Sequence, residues 1–461
     1  MRPGLLLLLL CTSHLANAQG VMDPLTVQGL EQQDPVAVRA RAMGGVFAAS
    51  GDAVEAVLLN PAGLSGLSRP ALSVSGLWQA RDWAETQHWN PNRYYAGLSL
   101  FFASPEDYRS EPLSKPDWTY RQSVFRLAAA TGALPFRWGT VALAVHRVAD
   151  LSDYDRNNNV LDPYIGQFRP EPVERPRPGQ EIAVKWSTFE RERTGALYAI
   201  SPAIAVEVGT GFHLGVRVSR IWGQSTDREN QINVGSFVLR EDAHDYSHGP
   251  LDGSNRWSGT SEYTGWATAA GLLWEQNVIT VGVLYQLPTT VVRTFNESGT
   301  HAAPGESGSD YIRLGTDYIG LPGKITAGIS LRPVSSLLLA IDVFHQDYEQ
   351  MEVSSARYSE PDWGVSRGVR IGLEWELGQE LLIRGGFRRD PRPFRITGFG
   401  LLGQTATGDA FSVGLGYPVG GVVLDVAYEL QQLLYQDRWE SNVDYNRVRQ
   451  HNLLFQLSYA L

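Results

Sequence analysis

The chain has 461 residues, 47 of them glycine, a net charge of −10 and a mean hydropathy of −0.20. That acidity, with no basic run and no zinc-ligand cluster, argues against a nucleic-acid partner. After the first eighteen residues no apolar run approaches the roughly 18 to 20 residues of a membrane-spanning helix, so any crossing of a bilayer must be made by strands.

Met1 to Ala18 carries Arg2, a leucine run from Leu5 to Leu10 and Ala16-Asn17-Ala18 ahead of Gln19, the pattern of a secretory signal peptide. Cys11 is the single cysteine and falls inside it, so the mature chain is expected to hold neither thiol nor disulfide. From Arg39 to Leu67 the sequence compresses a Gly pair, a short apolar helix and an Asn-Pro-Ala-Gly stop. Asp52 and Glu55 suit a capping box, with Val54, Val57 and Leu58 on one face. Pro61 biases Asn60 away from the α region and Gly63 can take a left-handed turn, which ends the helix near Leu59. Each buried aliphatic side chain contributes about 1.5 to 3 kcal/mol, too little for a free-standing unit. The segment is therefore read as a plug docked into the β-structure C-terminal to it.

Period-two segments then recur to the last residue. Fourteen are long enough to span: 71–79, 121–131, 138–148, 194–208, 211–223, 262–275, 277–287, 324–333, 337–348, 366–377, 381–389, 409–419, 421–434 and 448–461. A further candidate, 93–103, would make the number odd, and is assigned to an excursion between the first two strands. Short connections at 132–137, 209–210, 276, 334–336, 378–380 and 420 alternate with long polar ones at 149–193, 224–261, 288–323, 349–365, 390–408 and 435–447. Short turns at one end and long loops at the other are the mark of an outer-membrane barrel. In the pair 366–377 and 381–389, Val369, Ile371, Leu373, Trp375, Ile383 and Phe387 face lipid. Arg370, Glu374, Glu376, Arg384 and Arg388 face inward, and a three-residue turn sets Glu374 opposite Arg384. Arg217, Asp425 and Glu429 face the lumen on the same alternation, where the arginines could attract a carboxylate or simply neutralise the acids.

The run Ala42-Met43-Gly44-Gly45, then Gly51-Asp52, then Asn60-Pro61-Ala62-Gly63-Leu64, resembles the N-terminal hatch of the FadL/TodX family of outer-membrane transporters for long-chain fatty acids and other hydrophobic compounds. Leu321-Pro322 before ITAGISLRP, LLLAIDVFHQDYEQM, and DAFSVGLGYPVGGVVLDVAYEL before the terminal SYAL resemble its later hairpins. The resemblance implies a signal peptide (1–18), a hatch (19–70) and an all-β, 14-stranded antiparallel transmembrane β-barrel (71–461) in the bacterial outer membrane. It implies a monomer that passes hydrophobic small molecules, with Gly44, Gly45, Asn60, Pro61, Ala62 and Gly63 shaping or gating the hatch. Leu453, Phe455, Leu457, Tyr459 and Leu461, at alternate positions, resemble the C-terminal signal by which the barrel-assembly machinery recognises outer-membrane barrels, although Leu461 stands where an aromatic residue is usual. Surrounding outer-membrane lipid is the other expected partner, and no cofactor is expected. The rival functions are a scaffold or shuttle for exported proteins, as in PorV-type barrels, and a barrel hydrolase.

Other chemistry is thinly marked. Gly364-Val365-Ser366-Arg367-Gly368 matches G-x-S-x-G but opens a strand, whereas a nucleophile elbow needs a strand-to-helix turn. Asp155, Asn157, Asn159 and Asp162 resemble half a calcium loop without its glycine at position six or its glutamate at twelve. His244 and His248, near Asp242 and Asp245, lack a helix to fix their spacing.

Overall fold

The computed structural model describes residues 29–30, 36–49, 53–87, 116–162, 178–240, 244–248, 254–302, 308–355, 363–378, 381–395, 405–438 and 443–461. A closed antiparallel barrel of fourteen strands fills most of them. The strands are β1 (Ala71–Gln87), β2 (Trp118–Phe136), β3 (Gly139–Asp150, continued by Asp153–Asp162), β4 (Ile182–Gly209) and β5 (Phe212–Leu239). Next come β6 (His244–His248 and Ser254–Gln276), β7 (Ile279–Gln286 and Thr289–Ala302), β8 (Ser309–Leu321 and Lys324–Val334) and β9 (Leu337–Asp347 and Glu352–Ser354). β10 (Val365–Leu377), β11 (Leu381–Arg395), β12 (Thr405–Val419), β13 (Val422–Arg438) and β14 (Val443–Ala460) complete it. β14 pairs with β1, Ala460 opposite Ala71, so the sheet has no open edge at its seam.

All fourteen expected spans lie inside these strands to within a residue or two at the ends, and the excursion at 93–103 lies outside the described residues. The expected loops are the larger departure. β4 begins at Ile182 and β5 continues to Leu239, well into segments that read as polar connections. Beyond the bilayer both faces of a strand can be wet, so alternation fades while the ladder of backbone hydrogen bonds continues.

The facing follows the sequence. Leu424, Val426 and Tyr428 are exposed on the outer wall, while Asp425, Ala427 and Glu429 are buried in the lumen. Aromatic residues fringe the apolar band at both levels. Phe136 stacks on Trp138 at 5.5 Å and Phe212 lies 6.2 Å from Trp274 near the short turns, while Trp78, Phe125, Trp222 and Trp266 stand toward the long loops. Leu377 opposes Leu381 and Glu374 opposes Arg384, the register that the short turn requires. Gly378 supplies that turn with a φ of 69°.

One stretch of wall lacks its ladder. β2 and β3 pair from Phe136 opposite Gly139 only as far as Ala129 opposite His146. Above that, among the described residues, Trp118 to Leu127 pair with β1 alone, and β3 stays with β4. The separation starts below Phe125 and Leu127, which are 67% and 61% exposed on the outer face, and so lies within the apolar band.

Candidate functional site: the hatch, its seat and the cavity above it

The hatch is a five-residue α-helix α1 (Val38–Ala42) followed by two 3₁₀ turns, Val54–Val57 and Pro61–Gly66. Its shape differs from the sequence expectation in two places. The first 3₁₀ turn starts after an extended Ala53 that gives no side-chain cap, and Glu55 does not close a box. Gln456 Nε2 and Ser458 Oγ on β14 donate to Glu55 Oε1 instead, at 2.6 and 3.2 Å. Burial, the largest effect on this carboxyl, raises its pKa. Gly63 is the second departure: it lies within the 3₁₀ turn and the left-handed glycines are Gly44 and Gly45, with φ of 70° and 81°. The Gly pair lets the chain reverse directly after α1, where a β-carbon would be strained. Asp52 lies outside the described residues.

The Asn-Pro-Ala motif has a definite job. Asn60 is fully buried, and its Oδ1 accepts from the Ala62 amide at 3.1 Å, capping the turn that Pro61 opens. Its Nδ2 donates to the Ala48 carbonyl at 2.7 Å and to the Leu272 carbonyl of β6 at 3.2 Å. One side chain thus fixes the turn, the preceding hatch loop and the wall.

The wall is shaped to receive this segment. Inward-facing glycines recur on successive strands, and a β-carbon at each would collide with hatch atoms. At Gly414 it would meet the Ala42 methyl, at Gly386 the Gly44 amide, and at Gly372 the Met43 carbonyl. At Gly282 it would land on the Ala48 carbonyl oxygen, at Gly271 on Asn60 Oδ1, and at Gly215 on the Pro61–Ala62 peptide. Across its described residues between 42 and 62 the hatch therefore lies along a track of small residues running from β12 round to β5.

Except for the exposed Glu376, every expected lumen charge faces this seat. Arg384 Nε donates to Glu374 Oε2 at 2.7 Å and its Nη1 bonds Asp425. Arg388 pairs with Glu429 at 3.2 Å. Arg217 Nη1 reaches the carbonyls of Val57 and Leu58 at 2.9 and 2.5 Å, and Arg370 Nη1 the Gly45 carbonyl at 3.1 Å. The hatch supplies two arginines of its own that sequence reading missed: Arg39 holds Glu374 through two bonds of 2.8 and 2.9 Å, and Arg41 lies 3.2 Å from Glu429. Asp342, also missed, accepts from the Phe47 and Ala48 amides at 2.6 and 2.9 Å. These carboxylates are shared between wall and hatch. Lifting the hatch leaves them buried with fewer partners, which is costly, yet no covalent tie opposes it.

A cavity of about 110 Å³ is bounded by Phe47 and Leu58 of the hatch and by His146, Arg217, Lys324 and Arg370 among the wall residues. Next to it Ala149, Leu151, Leu197, Ile221, Tyr263, Val291, Ile319, Leu321, Tyr348, Met351 and Trp363 pack into a buried apolar cluster on the lumen side. Leu30 is fully buried within this cluster. Gly29 turns that segment with a φ of 88° against the Leu151 backbone. Tyr263 also lines a groove of about 530 Å³ with Trp222 and Arg126, beside the unpaired stretch of β2 and β3. Across that stretch Arg81 of β1 and Arg126 of β2 reach Asp150 of β3, at 3.3 and 3.8 Å.

The weaker motifs stay apart from this centre. Ser366 is on β10 and donates to the Pro391 carbonyl at 2.6 Å, with no histidine or acid arranged to activate it among the described residues. Asp155, Asn157 and Asp162 are paired strand positions of β3, and Asn159 falls at the register shift between Asn157 and Val160. Arg191 sits 3.5 Å from Asp155, and burial pushes that carboxyl up to about 6, so its charge is already contested. His244 and His248 delimit a short strand of β6, and Asp242 lies outside the described residues. No cluster of three or more metal-ligating side chains occurs among the described residues.

No family model matches the sequence, and no curated protein does. Solved structures do. A Pseudomonas aeruginosa FadL homologue superposes with a TM-score of 0.59 at 12% identity, covering 93% of this chain and 99% of its own. The toluene transporter TbuX of Ralstonia pickettii gives 0.57 at 13%, covering 93% and 99%. The monoaromatic hydrocarbon channel CymD gives 0.56 at 12%, covering 93% and 98%. At this identity the likeness is one of fold, and it extends over nearly the whole of each chain.

Proposed function

We propose that this chain, which has the fold of FadL-type channels, is an outer-membrane channel that admits hydrophobic small molecules. The observation that carries the reading is the buried apolar cluster on the lumen side, which shares Ile221, Leu321 and Tyr348 with the lining of the cavity above the hatch. A barrel that merely conducts water and ions has no use for a cluster of Leu151, Leu197, Ile221 and Val291. Its position supports a route. Cargo enters from the long-loop side, rests against these apolar residues beside the cavity, and leaves through the break between β2 and β3 into the bilayer or downward when the hatch lifts. Arg217 and Lys324 at the adjoining cavity would favour cargo with an acid end, so long-chain fatty acids join aromatic hydrocarbons as candidates.

Leu30 stands where cargo would stand. Its removal should open room among the apolar side chains around it, and Leu30→Ala is expected to tighten binding of an apolar ligand. The displaced side chain is worth about 1.5 to 3 kcal/mol, which is roughly 10- to 100-fold in affinity. Titration of delipidated protein in detergent with palmitate and with toluene checks this. Equal affinity in wild type and variant would place the binding site elsewhere, and no saturable binding of either compound would remove the reading itself.

A further inference from the structure

The outer wall carries a basic patch that cargo does not touch. On β2, β1, β14 and β13 the outward residues form rows by register. Phe125, Trp78, Leu453 and Tyr428 make one row, and Ser123, Ala80, His451 and Leu430 the next toward the long loops. Arg121, Asp82, Arg449 and Gln432 follow, and then Thr119, Ala84, Arg447 and Leu434. The first row closes the apolar band. The row of Arg121 and Arg449 lies four residues beyond it, about 13 Å along the strand and less along the tilted barrel axis, which is headgroup depth.

Charge balance singles the patch out. Asp82 bonds Arg121, whose side chain is 76% exposed, and Asp117 lies one row above Arg447. No carboxylate among the described residues pairs with Arg447 or Arg449. His451 is engaged by the Tyr428 hydroxyl at 2.7 Å. Elsewhere on the rim the outward arginines are matched or isolated from one another: Arg389 pairs with Asp409 at 2.8 Å, Arg228 with Glu192 at 3.1 Å, and Arg220 lies over Trp266 at 5.3 Å. Two guanidinium groups without a carboxylate among the described residues, Arg447 and Arg449, with Arg121 exposed beside them on Asp82, are continuous with a lipid-facing wall and match an anion that is anchored at that depth.

We propose that Arg121, Arg447 and Arg449 bind the phosphate groups of a lipid of the external leaflet, seated with its acyl chains on the wall below. Guanidinium suits phosphate because its planar fork donates two parallel hydrogen bonds. The proposal takes the placement of the barrel in the membrane from the function proposed above, and is independent of what the lumen carries.

The test is native mass spectrometry of the detergent-solubilised full chain with bisphosphorylated lipid A, its dephosphorylated form, and inorganic phosphate. Wild type should retain the bisphosphorylated lipid at least about tenfold better than the dephosphorylated one, one decade corresponding to the loss of a single charge-assisted contact. The triple change Arg121→Gln, Arg447→Gln and Arg449→Gln should abolish that preference. Arg389→Gln, which alters an arginine already committed to Asp409, should leave it intact. Heat-modifiable gel mobility confirms that each variant is a closed barrel. Equal retention of both lipids by wild type, or an undiminished preference in the triple variant, overturns the proposal. Displacement of the lipid by millimolar inorganic phosphate would assign the patch to free phosphate instead. Palmitate and toluene binding should be unchanged in the triple variant, so failure here is separable from failure of the channel reading.

Discussion

Gly282→Leu is expected to open the barrel to small ions without unfolding it. A β-carbon at Gly282 would occupy the place of the Ala48 carbonyl oxygen, and β7 cannot retreat because Gly282 is paired with Leu273 on one side and Gly328 on the other. The hatch must therefore move. In moving, it releases the Phe47 and Ala48 amides from Asp342 and the Asn60 amide from Ala48. Overpacking of this kind costs about 1 to 3 kcal/mol, enough to raise the fraction of lifted hatch roughly 5- to 150-fold. Single-channel conductance in planar bilayers reads this directly. Gly385→Leu is the control: its β-carbon points outward and meets nothing closer than the Ser412 carbonyl at 3.9 Å. Equal conductance in the two variants would mean that the glycine track does not hold the hatch.

The second large effect concerns the bilayer. Val216 faces outward on β5 between Ile204 and Ala270 and is 43% exposed. Thr226 faces the same way ten residues further on, beyond Trp222. Val216→Arg buries a charge in hydrocarbon at about 2 to 4 kcal/mol, whereas Thr226→Arg, at or past the interface, costs about 0 to 1 kcal/mol. Urea unfolding in phospholipid vesicles distinguishes them. If both variants unfold at the wild-type midpoint, Val216 is not in the hydrocarbon layer.

Much of this architecture was legible because a barrel writes itself locally. Leu424, Val426 and Tyr428 against Asp425, Ala427 and Glu429 is a strand with one oily face, and three turn residues suffice to set Glu374 against Arg384. The glycine track was also present in the sequence, as inward-facing glycines at Gly215, Gly271, Gly282, Gly372, Gly386 and Gly414. It carries meaning only once those positions share a level of the lumen. The partners of Arg39 and Arg41 were not legible, since Glu374 and Glu429 are more than 300 residues away. Leu30 gave no signal either, because a single leucine in a polar stretch has no periodicity. The gap between β2 and β3 was hidden for a different reason: alternation continues through Phe125 and Leu127 whether or not a neighbour is hydrogen-bonded beside them. Even the capping box failed on packing grounds, Glu55 being more useful to Gln456 on the wall than to its own turn.

Asn60 concentrates the account, since it ties the turn, the hatch loop and β6 together while the strands pair among themselves. Uptake of a radiolabelled apolar compound and of a polar solute of similar size tests it most directly. The comparison uses cells carrying no barrel, wild type, or a chain lacking Asn60 to Ala62, with inserted amounts matched by heat-modifiable mobility. Wild type should raise apolar uptake over empty cells with little effect on the polar solute, and the deletion should impair apolar uptake from an equally abundant barrel. Apolar uptake that is the same with and without the wild-type barrel, or the same in wild type and deletion, would contradict a channel gated by this hatch.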